Sequence, residues 1–167
     1  MRKAVYLLFV IVALASCSKP EARHDREIGQ AERLMECNPD SALAILEAID
    51  PSDLKVDSLK AKFHYLKAYG HMSANRSMVG DSLISFAHNY YRGKDIVKDI
   101  RSGMAYAWYK FWVSDTRGSI AMLDSLTVLP DVPDSLMIGI LRTRVLLGAS
   151  EYQGQQIIQL AEKLYKL

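Results

Sequence analysis

The sequence predicts an all-α fold: about four antiparallel helical hairpins stacked side by side behind an N-terminal signal segment. Three observations lead there. Apolar residues recur at helical spacing from about Arg26 onward, and no stretch alternates with period two for long enough to form a sheet. Prolines and glycines fall between the periodic segments, where helices have to break. The second helices of successive pairs begin near Asp40, Asp81, Gly118 and Gly154, at spacings of 41, 37 and 36 residues, a period that signals stacked helix pairs. One hairpin of this length cannot bury its own apolar face, and a stacked neighbour supplies the missing partner.

The first element is the signal, residues 1–16. Arg2 and Lys3 make a positive start, and an uncharged apolar run follows from Ala4 to Ala15. Twelve residues at about 1.5 Å each span roughly 18 Å, short of the roughly 30 Å hydrocarbon core of a bilayer. The run is therefore read as a cleaved secretory signal and not a permanent span. It ends in Leu14-Ala15-Ser16-Cys17, which resembles a lipobox, the site at which a bacterial lipoprotein precursor is cut. There the Cys17 thiolate would accept diacylglycerol. One acyl chain binds a membrane only marginally, and two or three make attachment lasting. Residues 17–26 are polar and read as a tether to a helical-repeat domain over 27–167. No aspartate follows Cys17 directly, so an inner-membrane retention signal is lacking. The expected location is the cell envelope, at the outer membrane.

The hairpins are expected at 26–36 with 40–49, 54–72 with 80–92, 95–114 with 117–129, and 134–149 with 153–167. Leu59, Phe63, Leu66 and Gly70 mark one face of the third helix, and Ile100, Met104, Trp108, Phe111 and Trp112 mark the fifth. Leu83, Ile84, Ala87 and Tyr91 mark the fourth; Ile157, Leu160, Ala161 and Leu164 mark the last. Asp-Ser recurs at 40, 57, 81, 124 and 134 and suits helix starts, because both side chains accept from first-turn N–H groups. Asp57 and Asp124 are expected inside helices. Pro39, Pro51, Pro130 and Pro133, with Gly80, Gly93 and Gly118, are read as breaks. The apolar run 136–147 is interrupted by Arg142 and Arg144 and reads as a buried helix, not a membrane insertion.

Removing residues 1–16 lowers Lys+Arg from 21 to 19, equal to the 19 Asp+Glu. The mature chain then has no net charge and no concentrated positive field of the kind nucleic-acid binding needs. With Cys17 lipidated, Cys37 has no partner for an intramolecular disulfide. It is expected to be buried as a small hydrophobe.

Asn38-Pro39-Asp40-Ser41-Ala42-Leu43 with Ile45-Leu46 and Ile49, Ala61-Lys62-Phe63-His64-Tyr65-Leu66, Asp81-Ser82-Leu83-Ile84 and Ala105-Tyr106 with Trp108-Tyr109 resemble degenerate tetratricopeptide-repeat lipoproteins of the Bacteroidetes type. The resemblance covers about residues 27–167 and lies in the order of its motifs; no single repeat carries the full signature. It implies a right-handed stack of hairpins whose first helices line a concave groove. Longer relatives continue into a membrane span and a regulatory output domain. This chain ends at Leu167 without them, so their signalling activity is not carried over.

The residues expected to bind a protein or peptide in that groove are Tyr65, Tyr69, Tyr109 and Arg101, since aromatic and arginine side chains make good anchors. Trp108 and Trp112 are read chiefly as core, and Lys62 and Lys110 as solvated. His64 and His71 lie seven residues apart on one helix, where a zinc pair would use a spacing of four, so no metal is expected. Asp95 and Asp99 fit a helix's first turn better than acid catalysis. With no nucleophile elbow and no Gly-rich phosphate loop, neither an enzyme nor a cofactor is expected. The leading expectation is a lipid-anchored adaptor binding an envelope protein or peptide. The alternatives are a shortened sensory or regulatory input module and a glycan-uptake accessory lipoprotein.

Overall fold

The computed structural model describes residues 20–148 and positions 158, 159, 162, 163 and 165. The signal segment, Cys17 and most of the helix expected over 153–167 lie outside the described residues. Those residues are all-helical: seven α-helices and one 3-10 turn, with no strand among them.

Helix α1 (Pro20–Leu34) begins on a proline, whose fixed φ and missing N–H suit a first turn. An Arg23–Glu27 pair at 2.9 Å lines its outer side. His24, Ile28, Ala31 and Met35 are buried, at the i, i+4, i+7, i+11 spacing of one helical face. Residues 20–26, expected as tether, are therefore helix with a packed side. Helix α2 (Pro39–Glu47) is capped by Asn38, which accepts from the Ser41 N–H at 3.0 Å, and it buries Ala42, Leu43 and Leu46. A 3-10 turn (Pro51–Asp53) precedes α3 (Asp57–Ser73).

Helix α3 buries Leu59, Ala61, Phe63, Tyr65, Leu66, Ala68 and Gly70. It is apolar on several sides because α1, α2, α4 and α5 all pack on it. Helix α4 (Ile84–Tyr91) starts later than expected. Asp81 does not cap it; its carboxylate accepts from His71 Nδ1 at 2.6 Å, pinning the preceding loop to α3. Helix α5 (Ile96–Trp112) is capped by Asp95 and α6 (Thr116–Thr127) by Asp115, each accepting from the N–H three residues on. Gly118, expected at a break, lies inside α6. Helix α7 (Asp134–Gly148) buries Ile140, Leu141 and Leu147, and its Arg144 pairs with Asp124 of α6.

Four connections each carry one residue with positive φ, namely Asn75, Gly93, Ser114 and Asp131, the left-handed turn that commonly ends a helix. After α3 and α5 it closes a six-residue loop, Arg76 N–H to His71 O and Asp115 N–H to Lys110 O, both 2.8 Å.

Successive helices pack on one another, and the odd-numbered ones also touch along the series, α1 on α3, α3 on α5 and α5 on α7. Two cores result. The larger runs from Ile28 to Ala105 across α1 to α5, and the smaller joins Ile100, Ala107, Leu123, Leu126, Ile140 and Leu147. Trp108 packs against both.

Two further expectations are corrected. Cys37 is exposed, because it sits in the turn after α1 with its thiol toward the Leu34 carbonyl, 3.5 Å away. Trp112 is 40 % exposed, beside exposed Phe111 and Val113, because the last turn of α5 outruns the helices that cover it. No helix among the described residues is long and apolar enough to cross a membrane.

Candidate functional site

Three of the four residues expected to bind a partner meet. Tyr65 and Tyr69 of α3 and Arg101 of α5 line one cavity of about 300 Å³. Glu32, Met35 and Glu36, on α1 and the turn after it, form a further wall, and Asp95, Val97 and Lys98 at the start of α5 another. Helices α1, α3 and α5 are the odd-numbered ones, so the cavity is lined by successive members of the series they form.

Burial separates floor from rim. Tyr65 and Leu66 are buried, at 3 and 2 % exposure, and make the floor; Met35 is buried at 3 % at the foot of the α1 wall, and Tyr69 is half-buried. The Tyr65 and Tyr69 rings lie 5.8 Å apart, tilted, and Tyr65 meets Tyr91 edge-on at the same distance. Arg101 bridges the walls. Its Nη1 lies 2.8 Å from Glu36 Oε1, and its guanidinium lies 5.6 Å from the Tyr69 ring centroid. On the α1 side Lys62 Nζ holds Glu32 at 2.7 Å, and on the α5 side Lys98 pairs with Asp95 at 3.5 Å.

The electrostatics follow from this packing. Burial pushes the Tyr65 and Tyr69 hydroxyls above the ordinary tyrosine range, so both stay neutral. Burial disfavours the charge on Arg101, but the tyrosine oxygens and Glu36 more than offset it and hold the guanidinium firmly protonated.

Tyr109 lies elsewhere. It stacks on Tyr106 at 6.2 Å, near Lys110, whose ammonium sits 5.0 Å from the Tyr106 ring and 2.9 Å from Asp115. The wall from α1 is what sequence reasoning missed; its only local sign is the four-residue spacing of Glu32 and Glu36.

His64 and His71 part company on α3. His71 is committed to Asp81, while His64 packs edge-on against Phe63 at 5.1 Å. A buried His88, Asp99 and Ser102 group joins α4 to α5. His88 Nδ1 lies 3.3 Å from Ser102 Oγ and 3.5 Å from Asp99 Oδ1. A nucleophile-activating histidine needs its acid and its hydroxyl on opposite ring nitrogens; here both face the same one. Ser102 is fully buried and donates to the Asp99 carbonyl. Asp99 also accepts from the Gly93 N–H at 2.9 Å. The group fastens a helix junction.

A pH dependence follows. Burial holds both His64 and His88 below their ordinary value of about 6.5, against an opposing pull from Asp99 on His88. The unfolded chain binds protons near pH 6.5 that the folded chain refuses until lower pH. This contribution to stability is complete above about pH 6.5 and is lost as pH falls through the lowered folded values. The melting temperature should drop between pH 7 and 5, and H64Q/H88Q should flatten that slope. An unchanged slope in the double variant would contradict the assignment.

No family model matches the chain, and comparisons with curated proteins and with solved structures return no match.

Proposed function

We propose that the chain is a lipid-anchored envelope protein whose hairpins stack as a tetratricopeptide-like repeat and bind a partner protein or peptide. The observation that carries the binding reading is the convergence of Tyr65, Tyr69 and Arg101 on one cavity walled by α1, α3 and α5. A repeat scaffold presents the first helix of each pair along a common face. The packing of α1 on α3, α3 on α5 and α5 on α7 supports that arrangement. Tyrosine and arginine, rigid or forked and amphipathic, are the side chains that anchor interfaces. The anchor reading rests on the apolar run and Leu14-Ala15-Ser16-Cys17.

Each half has its own test. Labelling with a palmitate analogue in cells should require Cys17; equal labelling of C17S refutes the anchor. For binding, the intact lipoprotein is used to capture partners from membranes, beside Y69A and Y109A. Y69A should lose the partner and Y109A, outside the cavity, should retain it. A partner set indifferent to Y69A refutes the groove.

A further inference from the structure

In each of the three ion pairs around the cavity the carboxylate side chain is the more exposed partner, and the lining itself carries three carboxylates, Glu32, Glu36 and Asp95, against two cations, Lys98 and Arg101. Side-chain exposure is 38 % for Glu32 against 22 % for Lys62, 40 % for Asp95 against 33 % for Lys98, and 59 % for Glu36 against 33 % for Arg101. The cations lie against the protein with their stems packed. An approaching group therefore meets a lining with one more carboxylate than cations, beside the half-buried Tyr69 ring. We propose that the cavity takes a basic side chain, arginine or lysine, from an extended segment of the partner; this rests on the groove reading above.

Arg101 demonstrates within the chain what these groups accept. Its guanidinium lies between the Glu36 carboxylate at 2.8 Å and the Tyr69 ring at 5.6 Å. A carboxylate offers about four lone-pair sites, so one ion pair leaves Glu36, Glu32 and Asp95 each able to accept a second charged donor. Such bonds are stronger than neutral ones, and the tyrosine face adds attraction for a cation. The volume, about 300 Å³, suits one long side chain. An acidic segment would meet three carboxylates in the lining against two cations, which selects against it.

The test uses the full lipidated chain in detergent micelles. The probes are a fluorescein-labelled octapeptide of alternating arginine and glycine, the same peptide with glutamate for arginine, and spermidine as competitor. The arginine peptide should bind and weaken with salt. E32Q/E36Q and Y69A should each weaken it about tenfold, Y69F by no more than about threefold, and R101Q should tighten it several-fold by releasing Glu36. Melting temperatures confirm that each variant is folded. Preference for the glutamate peptide, abolished by R101Q, overturns the basic ligand and leaves the groove standing. Spermidine binding as tightly as the peptide assigns the cavity to a free polyamine and overturns a peptide ligand. If neither peptide binds while capture still depends on Tyr69, this proposal alone falls; capture indifferent to Tyr69 takes both.

Discussion

Replacing Phe63 with alanine should lower the free energy of unfolding by about 3–5 kcal/mol, the largest effect expected of a single truncation here. Phe63 is 1 % exposed and is among the largest fully buried side chains. It lies on α3, the helix against which α1, α2, α4 and α5 all pack. The cost combines lost transfer energy with a cavity that four surrounding helices cannot collapse into. Domains of this size are stable by only about 5–15 kcal/mol, so F63A should sit near the edge of folding at 37 °C. Urea melts would show a lower midpoint at unchanged slope. A loss under about 1 kcal/mol would mean that α3 is not central to the core.

Gly103→Val comes second, with an expected loss of about 2–3 kcal/mol. A Cβ at Gly103 would lie 2.8 Å from Leu126 Cδ2, 3.0 Å from Leu126 Cδ1 and 3.2 Å from His88 Cε1. Leu126 is 2 % exposed and His88 is fixed by Asp99 and Ser102, so neither yields cheaply. Gly70 stands equally close to its neighbours, 2.8 Å from Leu43 Cδ2 and 3.2 Å from Met35 Sδ. Gly139 differs, since its nearest contact is the Met104 methyl at 3.4 Å. There Gly139→Ala should stabilise by about 0.5–1 kcal/mol through helix propensity. A neutral Gly103→Val would show that α5 does not approach α4 and α6 this closely.

The helices were legible because a 3.6-residue apolar period between helix breakers is a local signal. Most boundaries fall within a few residues of expectation. What was not legible depends on contacts between distant residues. Residues 20–26 read as tether because α1 is polar on its outer face; only its packing on α2 and α3 reveals the buried line through His24 and Ile28. Asp81 looks like a cap, but its carboxylate is claimed by His71, ten residues earlier. Gly118 looks like a break until Asp115 is seen capping the turn that contains it. At the cavity, Tyr65 and Tyr69 share a face because four residues rotate a helix by about 40° beyond a full turn. Tyr109 follows Arg101 by eight residues, about 80° beyond two turns, which carries it off that face. Glu32 and Glu36 could not be assigned to the same site, since their place depends on how α1 lies against α3 and α5.

That lateral placement of α1 has a kinetic side. Glu32, Met35 and Glu36 close the cavity only while α1 is docked, and α1 is the first helix among the described residues. A molecule held between this wall and α5 binds the docked form and not the detached one. It should raise the opening free energy of α1 by RT ln(1 + [L]/Kd), about 2.7 kcal/mol at a hundredfold excess over Kd. Amide hydrogens along Pro20–Leu34 would then exchange about a hundredfold more slowly in the presence of ligand, while those of α7 would keep their rates. Among the described helices, α1 thus reports occupancy of the cavity through its own opening equilibrium.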